Sequence, residues 1–314
     1  MNETRFDIVT VVFSADLRLL QLQARSLARF ANAGLVGKIH VIVNDVCFNA
    51  VHRRFMRKIL PEYGVLSRNV RLHDYRALWS SGVRKAGWRS QQAIKLLAAN
   101  LVDTENFLIL DAKNHLIRPL MGDALIAEDG RLRSHMYRIH PGFEDHFRRA
   151  CAYFGYMEKP DLKLGLPTTT PFLMKRSLVM DMMTEMEERE AMPFPDVFMK
   201  DRYYTEFYLY YGYILGKFGS VEDIYIHGPK PVATLFAGQA KDVGACTKEL
   251  EALNQDNVYA MGIHREVLKE ANPVVIGLIK AAWDRFGLVT DEREQAYFAL
   301  FQDRFPSWRR FLPF

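Results

Sequence analysis

Short runs of apolar, β-branched residues alternate with helical segments in the first third of the chain, and this alternation limits the possible folds more than any other feature. Residues 6–13 (FDIVTVVF), 38–43 (KIHVIV) and 106–110 (NFLIL) are continuous apolar runs of strand length. Between the first two runs, apolar residues recur at roughly helical spacing over residues 17–30. Strands that are apolar on both faces are typical of parallel sheets covered by helices. The sequence therefore predicts βαβ units and an α/β fold.

The rest of the chain continues this pattern less regularly. The predicted strands lie at residues 69–72 and 168–174, and the predicted helices at residues 49–60, 90–100, 144–154, 178–190, 203–218, 273–286 and 291–301. No repeat, low-complexity linker or clear boundary interrupts the 314 residues, so we expect a single domain, 1–314, with helices added at its C-terminal end.

Charge and cysteine content restrict the class of protein. The net charge of +5 is spread over 314 residues, which suits an anionic small ligand or a membrane surface but is too diffuse to indicate nucleic acid. Three distant cysteines do not form a disulfide framework. The N-terminus lacks the pattern of a signal peptide, and the apolar runs are shorter than the ~20 residues that span a bilayer. We expect a cytoplasmic protein.

Polar residues follow three of the predicted strands. They are Ser14 and Asp16 after the first, Asn44 and Asp45 after the second, and Asp111, Lys113 and Asn114 after the strand at 106–110. Ligands of open α/β sheets bind at the carboxyl ends of the strands. Any one of these residues can simply cap a turn or a helix, but as a set they predict a binding site.

Several common nucleotide and hydrolase motifs are missing from the sequence. The turn after the first strand, FSADLRLL, has no glycine, as a dinucleotide site requires, and there is no P-loop motif. Neither G-x-S-x-G nor H-E-x-x-H occurs. These absences disfavour NAD-type, P-loop, α/β-hydrolase and zinc-protease functions.

Four segments together resemble a known group of proteins. Residues 87–96 (GWRSQQAIKL) precede residues 107–119 (FLILDAKNHLIRP), and residues 205–210 (TEFYLY) and 262–265 (GIHR) follow. In order and spacing these segments resemble bacterial glycosyltransferase-like proteins of GT-A fold, a largely uncharacterised group associated with surface polysaccharide genes. The resemblance covers about residues 5–270.

The resemblance implies a GT-A-like, Rossmann-type mixed sheet flanked by helices. Residues 1–120 would bind the nucleotide, residues 121–270 would face the acceptor, and residues 271–314 would form the C-terminal helices. The implied reaction moves a sugar from a nucleotide-sugar donor to a hydroxyl of a cell-surface glycan or glycolipid. The implied partners are therefore a nucleotide-sugar and a glycan or lipid-linked acceptor, with no nucleic acid.

The acidic motif departs from the pattern of these proteins. GT-A enzymes typically use D-x-D to hold a divalent ion, which neutralises the charge of the diphosphate leaving group. Here the triplet is Asp111-Ala112-Lys113. One hypothesis keeps Mg²⁺ or Mn²⁺ on Asp111, helped by Asn114 or His264. The other has Lys113 contact the phosphate directly, with little dependence on metal.

The resemblance adds four donor-binding candidates: Gln91, Gln92, Lys95 and Arg265. Gln91 and Lys95 are spaced i,i+4 and share one helix face. That face can present an amide and a cation to an anionic ligand, or the two can form a solvated surface pair. Trp88 can stack on a sugar or base, or lie in the core.

Glu206 is the candidate general base, with Asp111 as the second catalytic residue. Its aromatic surroundings, TEFYLYYGY, predict partial desolvation and a raised pKa, which suits deprotonation of an acceptor hydroxyl. Tyr210, at i+4, can orient it. The alternative is a glutamate that only stabilises a helix N-terminus after a Thr205 cap.

The last residues, 301–314 (FQDRFPSWRRFLPF), combine aromatic and basic side chains. This composition is typical of a docked tail or of a segment that contacts a membrane surface. Peripheral attachment to the inner membrane is therefore the second hypothesis for localisation.

The sequence favours a glycosyltransferase. The alternative is a non-catalytic relative that binds a nucleotide or a glycan as a partner subunit, since the D-x-D motif is broken. A sugar-phosphate nucleotidyltransferase is disfavoured because no glycine-rich basic loop follows the first strand.

Overall fold

The structure, a computed structural model, describes residues 5–79 and 87–305. Its strands are β1 (Phe6–Val12), β2 (Val36–Val43), β3 (Val70–Asp74), β4 (Asn106–Ile109), β5 (Asn114–Leu116), β6 (Leu132–Ser134), β7 (Phe172–Lys175), β8 (Tyr225–His227), β9 (Val232–Leu235) and β10 (Ala260–Ile263). Its helices are α1 (Leu17–Phe30), α2 (Phe48–Arg54), α3 (Trp88–Leu97), α4 (Glu144–Tyr153), α5 (Arg176–Glu190), α6 (Phe194–Lys200), α7 (Glu206–Phe218), α8 (Val243–Glu251), α9 (Arg265–Glu270), α10 (Pro273–Arg285) and α11 (Glu292–Ala299).

The main sheet has the strand order β3-β2-β1-β4-β7. Strands β1 to β4 are parallel, and β7 returns antiparallel to β4. Every residue of β1 and β4 is buried, as expected for central strands covered on both faces. The parallel strands therefore bring the turns after β1 and β4 to one edge of the sheet.

Helix α1 shows how local sequence and packing agree. Its leucines, arginines and glutamines are good helix formers, and Leu20, Ala24 and Leu27 are buried on one face. That face belongs to the same hydrophobic cluster as β1 and β2. The residues of β1 are mostly β-branched or aromatic, which suits a strand.

A smaller sheet, in the order β5-β10-β9, stands beside the main one, and β6 pairs with β8 in a separate ribbon. Helix α10 buries Val275, Ile279 and Trp283 in a second hydrophobic cluster, which also contains Met261 and Ile263 of β10. The C-terminal helices thus pack on the smaller sheet.

The expected fold class is confirmed: the protein has a mixed α/β sheet flanked by helices, with helices added at the C-terminal end. The predicted helix at 17–30 is confirmed residue for residue, and the predicted return to the sheet near 168–174 is β7. Helix α2 is shorter than expected, because residues 55–69 continue as a π turn and 3₁₀ turns. Among the described residues, no helix is both long enough and apolar enough to cross a membrane.

Candidate functional site

A cleft of about 480 Å³, termed here the charged cleft, opens at the carboxyl ends of β1 and β4. Most of its wall comes from the turn after β1 (Phe13, Asp16), α3 (Trp88, Gln91, Gln92, Lys95), the turn after β4 (Asp111, Ala112, Lys113), the start of α7 with its preceding residue (Thr205–Tyr208), the start of α9 (His264, Arg265) and Arg304 of the tail. Leu19, Phe143, Thr168, Thr169 and Phe236 complete it.

Lys95 is the centre of the charge arrangement in the charged cleft. Its Nζ lies 2.8 Å from Asp111 Oδ1 and 3.1 Å from Glu206 Oε1, and all three side chains are largely buried. Lys113 Nζ contacts the other carboxylate oxygen of Asp111. One buried ammonium therefore joins the two predicted catalytic carboxylates, which are 95 positions apart in the sequence. This differs from the expectation that Lys95 offers a free charge to a ligand.

Burial and charge set the protonation of these groups. Burial alone raises the pKa of Asp111, but Lys113 and Lys95 outweigh it and hold that pKa well below its usual range. Burial lowers the pKa of Lys95, and its two carboxylate partners more than reverse this, so its net pKa is raised. Burial raises the pKa of Glu206 despite the attraction of Lys95. Glu206 is thus the carboxylate of this pair that can more readily take up a proton.

Hydrogen bonds with Asn114 and with Gln23 of α1 hold the turn that carries Asp111. Asn114 Oδ1 accepts hydrogen bonds from Asp111 N at 2.9 Å and from Thr170 Oγ1 at 2.6 Å. From the buried interior, Gln23 Nε2 of α1 donates to Asp111 O at 2.6 Å and to Asn114 O at 3.2 Å. Asn114 therefore positions the turn and does not line the charged cleft.

Three further predicted residues bind other loops of the protein instead of facing the charged cleft. Asp45 accepts hydrogen bonds from Ser14 N and Cys47 N, both at 2.9 Å. Ser14 Oγ accepts a hydrogen bond from Phe305 N at 2.8 Å. Asn44 Nδ2 donates to Gly87 O at 3.0 Å, immediately before α3. These contacts hold the first turn, the tail and the start of α3 in place.

Three buried polar atoms in the wall of the charged cleft have no hydrogen-bond partner among the described residues. One is Asp111 Oδ1, which still forms the ion pair with Lys95. The other two are Gln92 Oε1 and Thr205 Oγ1, on side chains of residues that are 3% and 7% exposed. Buried polar groups are normally satisfied, so such atoms favour a missing ligand or water. Gln91 is different, since its Nε2 donates to Val11 O at 3.2 Å.

The rim of the charged cleft beside β1 is rich in cations. Arg265 Nε lies 3.7 Å from Asp16 Oδ1, and the Arg265 and Arg304 guanidinium groups lie 5.3 and 4.3 Å from the centre of the Phe13 ring. Burial raises the pKa of Asp16 to about 7, although Arg265 and Lys113 oppose the rise. This part of the charged cleft can accept an anionic group.

Trp88 lies at the mouth of the charged cleft and is 62% exposed, which excludes the core alternative. Its ring is available for stacking on a planar or sugar group. Tyr210 does not orient Glu206 as expected, because its hydroxyl is bonded to Lys175 N at 3.1 Å and lies 3.3 Å from Tyr225 OH. Lys95 holds Glu206 instead.

The residues around Asp111 do not fit a divalent ion. Both carboxylate oxygens of Asp111 face ammonium groups, from Lys95 and Lys113. His264 Nδ1 accepts a hydrogen bond from Glu266 N at 3.3 Å as the cap of α9, and burial lowers the pKa of this imidazole. Within residues 5–79 and 87–305, no group of three potential histidine, cysteine, aspartate or glutamate ligands comes together.

The polar residues after the predicted strands and the four resembling segments together predicted many of the residues that line the charged cleft. Nine of the predicted residues line it: Asp16, Gln91, Gln92, Lys95, Asp111, Lys113, Glu206, His264 and Arg265. Sequence reasoning missed Thr205 as a polar residue of the wall and Arg304 as a cation of the charged cleft. The composition of the tail predicted docking, and residues 301–305 do contact the turn after β1. No pattern in the tail sequence predicted that Arg304 would line the charged cleft. Residues 306–314 lie outside the described residues.

Solved structures that align with this chain include three glycosyltransferases. The galactosyltransferase LgtC, in complex with donor and acceptor sugar analogs, is 13% identical, and the match covers 93% of this chain and 100% of that one with a TM-score of 0.49. Mouse xyloside xylosyltransferase 1 is 12% identical, with 82% and 97% covered and a TM-score of 0.45. GlyE of Streptococcus pneumoniae TIGR4 is 12% identical, with 94% and 62% covered and a TM-score of 0.42. No curated protein matches the sequence.

A protein-family model covers most of the chain. It matches residues 10–261, a span that starts within β1 and ends within β10, and it is described as a family of unknown function (DUF6492). The match includes the turns after β1 and β4 and the starts of α3 and α7. The chain belongs to this family of unknown function, DUF6492.

Proposed function

We propose that the protein is a glycosyltransferase that uses the charged cleft to move a sugar from a nucleotide-sugar to an acceptor hydroxyl. The observation that carries this proposal is the chain of contacts Lys113–Asp111–Lys95–Glu206 at the carboxyl end of β4. It combines cations for a phosphate with a buried carboxylate that can take up a proton. The motif resemblance supplies the class of reaction.

The cations of the charged cleft are suited to a diphosphate. An ammonium group has three donors, so Lys113 can keep its contact with Asp111 and still donate to a phosphate oxygen. Arg265 and Arg304 add guanidinium groups on the same side. Cations that face a developing negative charge in a partly buried site stabilise the transition state. In this proposal, the chain's own side chains neutralise the leaving diphosphate.

The unpartnered atoms and Trp88 support binding of a donor sugar and base in the charged cleft. Gln92 Oε1 and Thr205 Oγ1 can accept hydrogen bonds from sugar hydroxyls, which would remove the cost of their burial. The exposed ring of Trp88 can stack on the base or the sugar. These contacts would orient the donor between the cations and Glu206.

The transfer step exchanges one carbon–oxygen bond for another. The bond between the anomeric carbon of the sugar and the phosphate oxygen breaks, and its electron pair leaves with the nucleoside diphosphate. A new bond forms between that carbon and the acceptor oxygen. The proton of the acceptor hydroxyl passes to Glu206, whose pKa is raised by burial. Lys95 holds this carboxylate and Asp111 in a fixed relation.

Turnover of a panel of UDP-, GDP-, CMP- and dTDP-sugars, with mass spectrometry of the products, tests the proposal. For the donor that reacts, Asp111→Asn should lower turnover by ~10²-fold or more, as removal of a key electrostatic group does. Asp129→Asn is the matched control, because Asp129 pairs with Arg131 at the same i,i+2 spacing on the surface. Equal turnover in folded Asp111→Asn and Asp129→Asn proteins would contradict the role of Asp111.

A second candidate function is binding without transfer, and the engagement of Glu206 by Lys95 favours it. Glu206→Gln separates the two. In a transferase this variant should lower kcat with little change in donor affinity, because the lost interaction belongs to the transition state. Donor binding by calorimetry with no turnover of any panel member, in wild type as in the variant, would favour the binding protein.

A further inference from the structure

A second cleft, larger than the charged cleft, lies among the main sheet, the smaller sheet and the β6–β8 ribbon. We term it the apolar groove; its volume is about 740 Å³, and its wall includes Leu125, Tyr137, Phe172, Gly228, Val232 and Tyr259. That volume is within the range of small-molecule sites, which are usually lined by apolar and aromatic side chains. The proposed function does not use this space.

Several polar side chains around the apolar groove already contact other parts of the protein. Lys230 Nζ lies 2.6 Å from Glu249 Oε1, and Arg133 Nε donates to Asp123 O at 2.7 Å. Tyr137 OH accepts a hydrogen bond from Thr168 N at 3.0 Å. Because most of the lining is apolar, a sugar chain in the apolar groove would lose more hydrogen bonds to water than it gains from the protein. An apolar chain has no such cost and gains from burial.

The apolar groove is adjacent to the charged cleft. Thr169 and Phe236 line both, and Phe236 is 41% exposed although it is a large apolar side chain. A molecule with a polar head and an apolar chain can therefore place the head in the charged cleft and the chain in the apolar groove. The two spaces match the two chemical parts of such a molecule.

We propose that the apolar groove binds the apolar chain of the acceptor, so that the acceptor is an amphiphile, such as a lipid-linked or alkyl-bearing glycan, rather than a free oligosaccharide. This inference rests on the proposed function, which supplies the need for an acceptor. The polar head of the acceptor presents its hydroxyl towards Glu206, and its apolar chain passes Thr169 and Phe236 into the apolar groove. Burial of the apolar chain supplies affinity, and contacts in the charged cleft determine which polar head is bound.

Gly228 offers a way to fill the apolar groove without disturbing the charged cleft. A Cβ placed on Gly228 would meet Arg133 Cβ at 3.7 Å and Ser134 O at 3.9 Å, which are ordinary contacts. Gly228→Leu therefore adds a side chain to the wall of the apolar groove. Gly277→Leu is the matched control, because Gly277 is exposed on α10 and a Cβ there meets nothing within 4 Å.

Calorimetric titration with octyl β-D-glucoside below its micelle concentration, against methyl β-D-glucoside and maltoheptaose, tests the proposal. We expect the octyl compound to bind with a negative heat-capacity change and the other two to bind at least ten-fold more weakly. Gly228→Leu should weaken the binding of octyl glucoside at least ten-fold, and Gly277→Leu should leave this affinity unchanged. If Gly228→Leu fails to fold, Phe236→Ala replaces it, and we expect at least a three-fold loss from this exposed position.

Three outcomes overturn the proposal: maltoheptaose binding as tightly as the octyl compound, octyl binding that neither Gly228→Leu nor Phe236→Ala weakens, or no octyl binding at all. Donor binding, measured separately with the nucleotide-sugar panel, should be the same in Gly228→Leu as in wild type. Octyl binding without any donor binding or turnover would contradict the proposed function while the apolar groove itself stands. Donor turnover without octyl binding would contradict only the inference about the acceptor.

Discussion

The charged cleft and the apolar groove share two wall residues but are built on opposite principles. In the charged cleft, buried ionisable groups contact one another, as Lys95 does with Asp111 and Glu206. In the apolar groove, the ion pair between Lys230 and Glu249 is half-exposed, and the wall is mostly apolar. Charged groups that are already held in position can stabilise the charge that develops during a reaction. Burial of apolar surface adds affinity, but it does not orient the bound molecule. If both proposals hold, the charged cleft carries out the reaction and the apolar groove next to it retains the acceptor.

The largest expected effect contrasts the same substitution in the two sites. Lys95→Met leaves Asp111 and Glu206 buried without their shared cation, and breaking a buried pair typically costs ~3–5 kcal/mol of the free energy of unfolding. Lys230→Met, which removes the half-exposed pair beside the apolar groove, should cost at most ~1 kcal/mol. Urea denaturation of both variants measures the difference. Equal losses in the free energy of unfolding would show that the buried contacts of Lys95 stabilise the protein no more than the half-exposed pair of Lys230 does.

A smaller effect concerns the binding of the donor by Lys113. Lys113→Ala should weaken the binding of the nucleotide-sugar at least ten-fold, which corresponds to ~1.4 kcal/mol of binding free energy. The reason is that it removes a cation proposed to contact the phosphates. Arg131→Ala, which removes the cation of a surface pair with the same spacing, is the control. Calorimetry with and without EDTA should give nearly the same wild-type affinity, and Lys113→Asp should make binding dependent on Mg²⁺ or Mn²⁺. Strict loss of wild-type binding in EDTA, with an indifferent Lys113→Ala, would return the site to a metal-dependent mechanism.

The smallest expected effect is the pH dependence of donor binding. Burial raises the pKa of Asp16 to about 7, so this carboxyl is mostly neutral at pH 6 and mostly ionised at pH 8. Its neighbours are Arg265, Lys113, Asp111 and Arg304, and an ionised Asp16 cancels part of their net positive charge. We therefore expect the nucleotide-sugar, whose charge is constant in this range, to bind several-fold more weakly at pH 8.

Asp16→Asn isolates that effect. The variant should bind the donor equally at both pH values, near the wild-type affinity at pH 6. Because the pKa of Asp16 in the folded protein lies above the unfolded value of 3.8, its contribution to stability is lost as pH rises from about 4 to about 7. Asp16→Asn should therefore also flatten part of the pH dependence of unfolding. A variant that keeps the wild-type pH dependence of binding would assign the titration to another group.

Much of the fold could be predicted because it depends on local pattern. The runs that form β1, β2 and β4 and the periodicity of α1 are visible in the sequence, and the chain belongs to an uncharacterised family, as its motifs predicted. Five of the strands in the described residues were not predicted. Strands β5, β6 and β8 have only three residues each, too few for a period, and β9 and β10 have four. The single-domain organisation and the residue roles in the charged cleft stay predictions.

The position of polar residues at the carboxyl ends of the strands can be predicted from the sequence, because β-branched runs pair in parallel and their ends share an edge. Which of these residues line the charged cleft depends on tertiary packing. Asp45 and Asp111 look alike in sequence, yet Asp45 accepts two backbone N–H bonds, while Asp111 lies between Lys95 and Lys113. The apolar groove likewise joins β6, β7 and β9, which are distant in the chain. Contacts between distant segments depend on packing, and no local pattern encodes them.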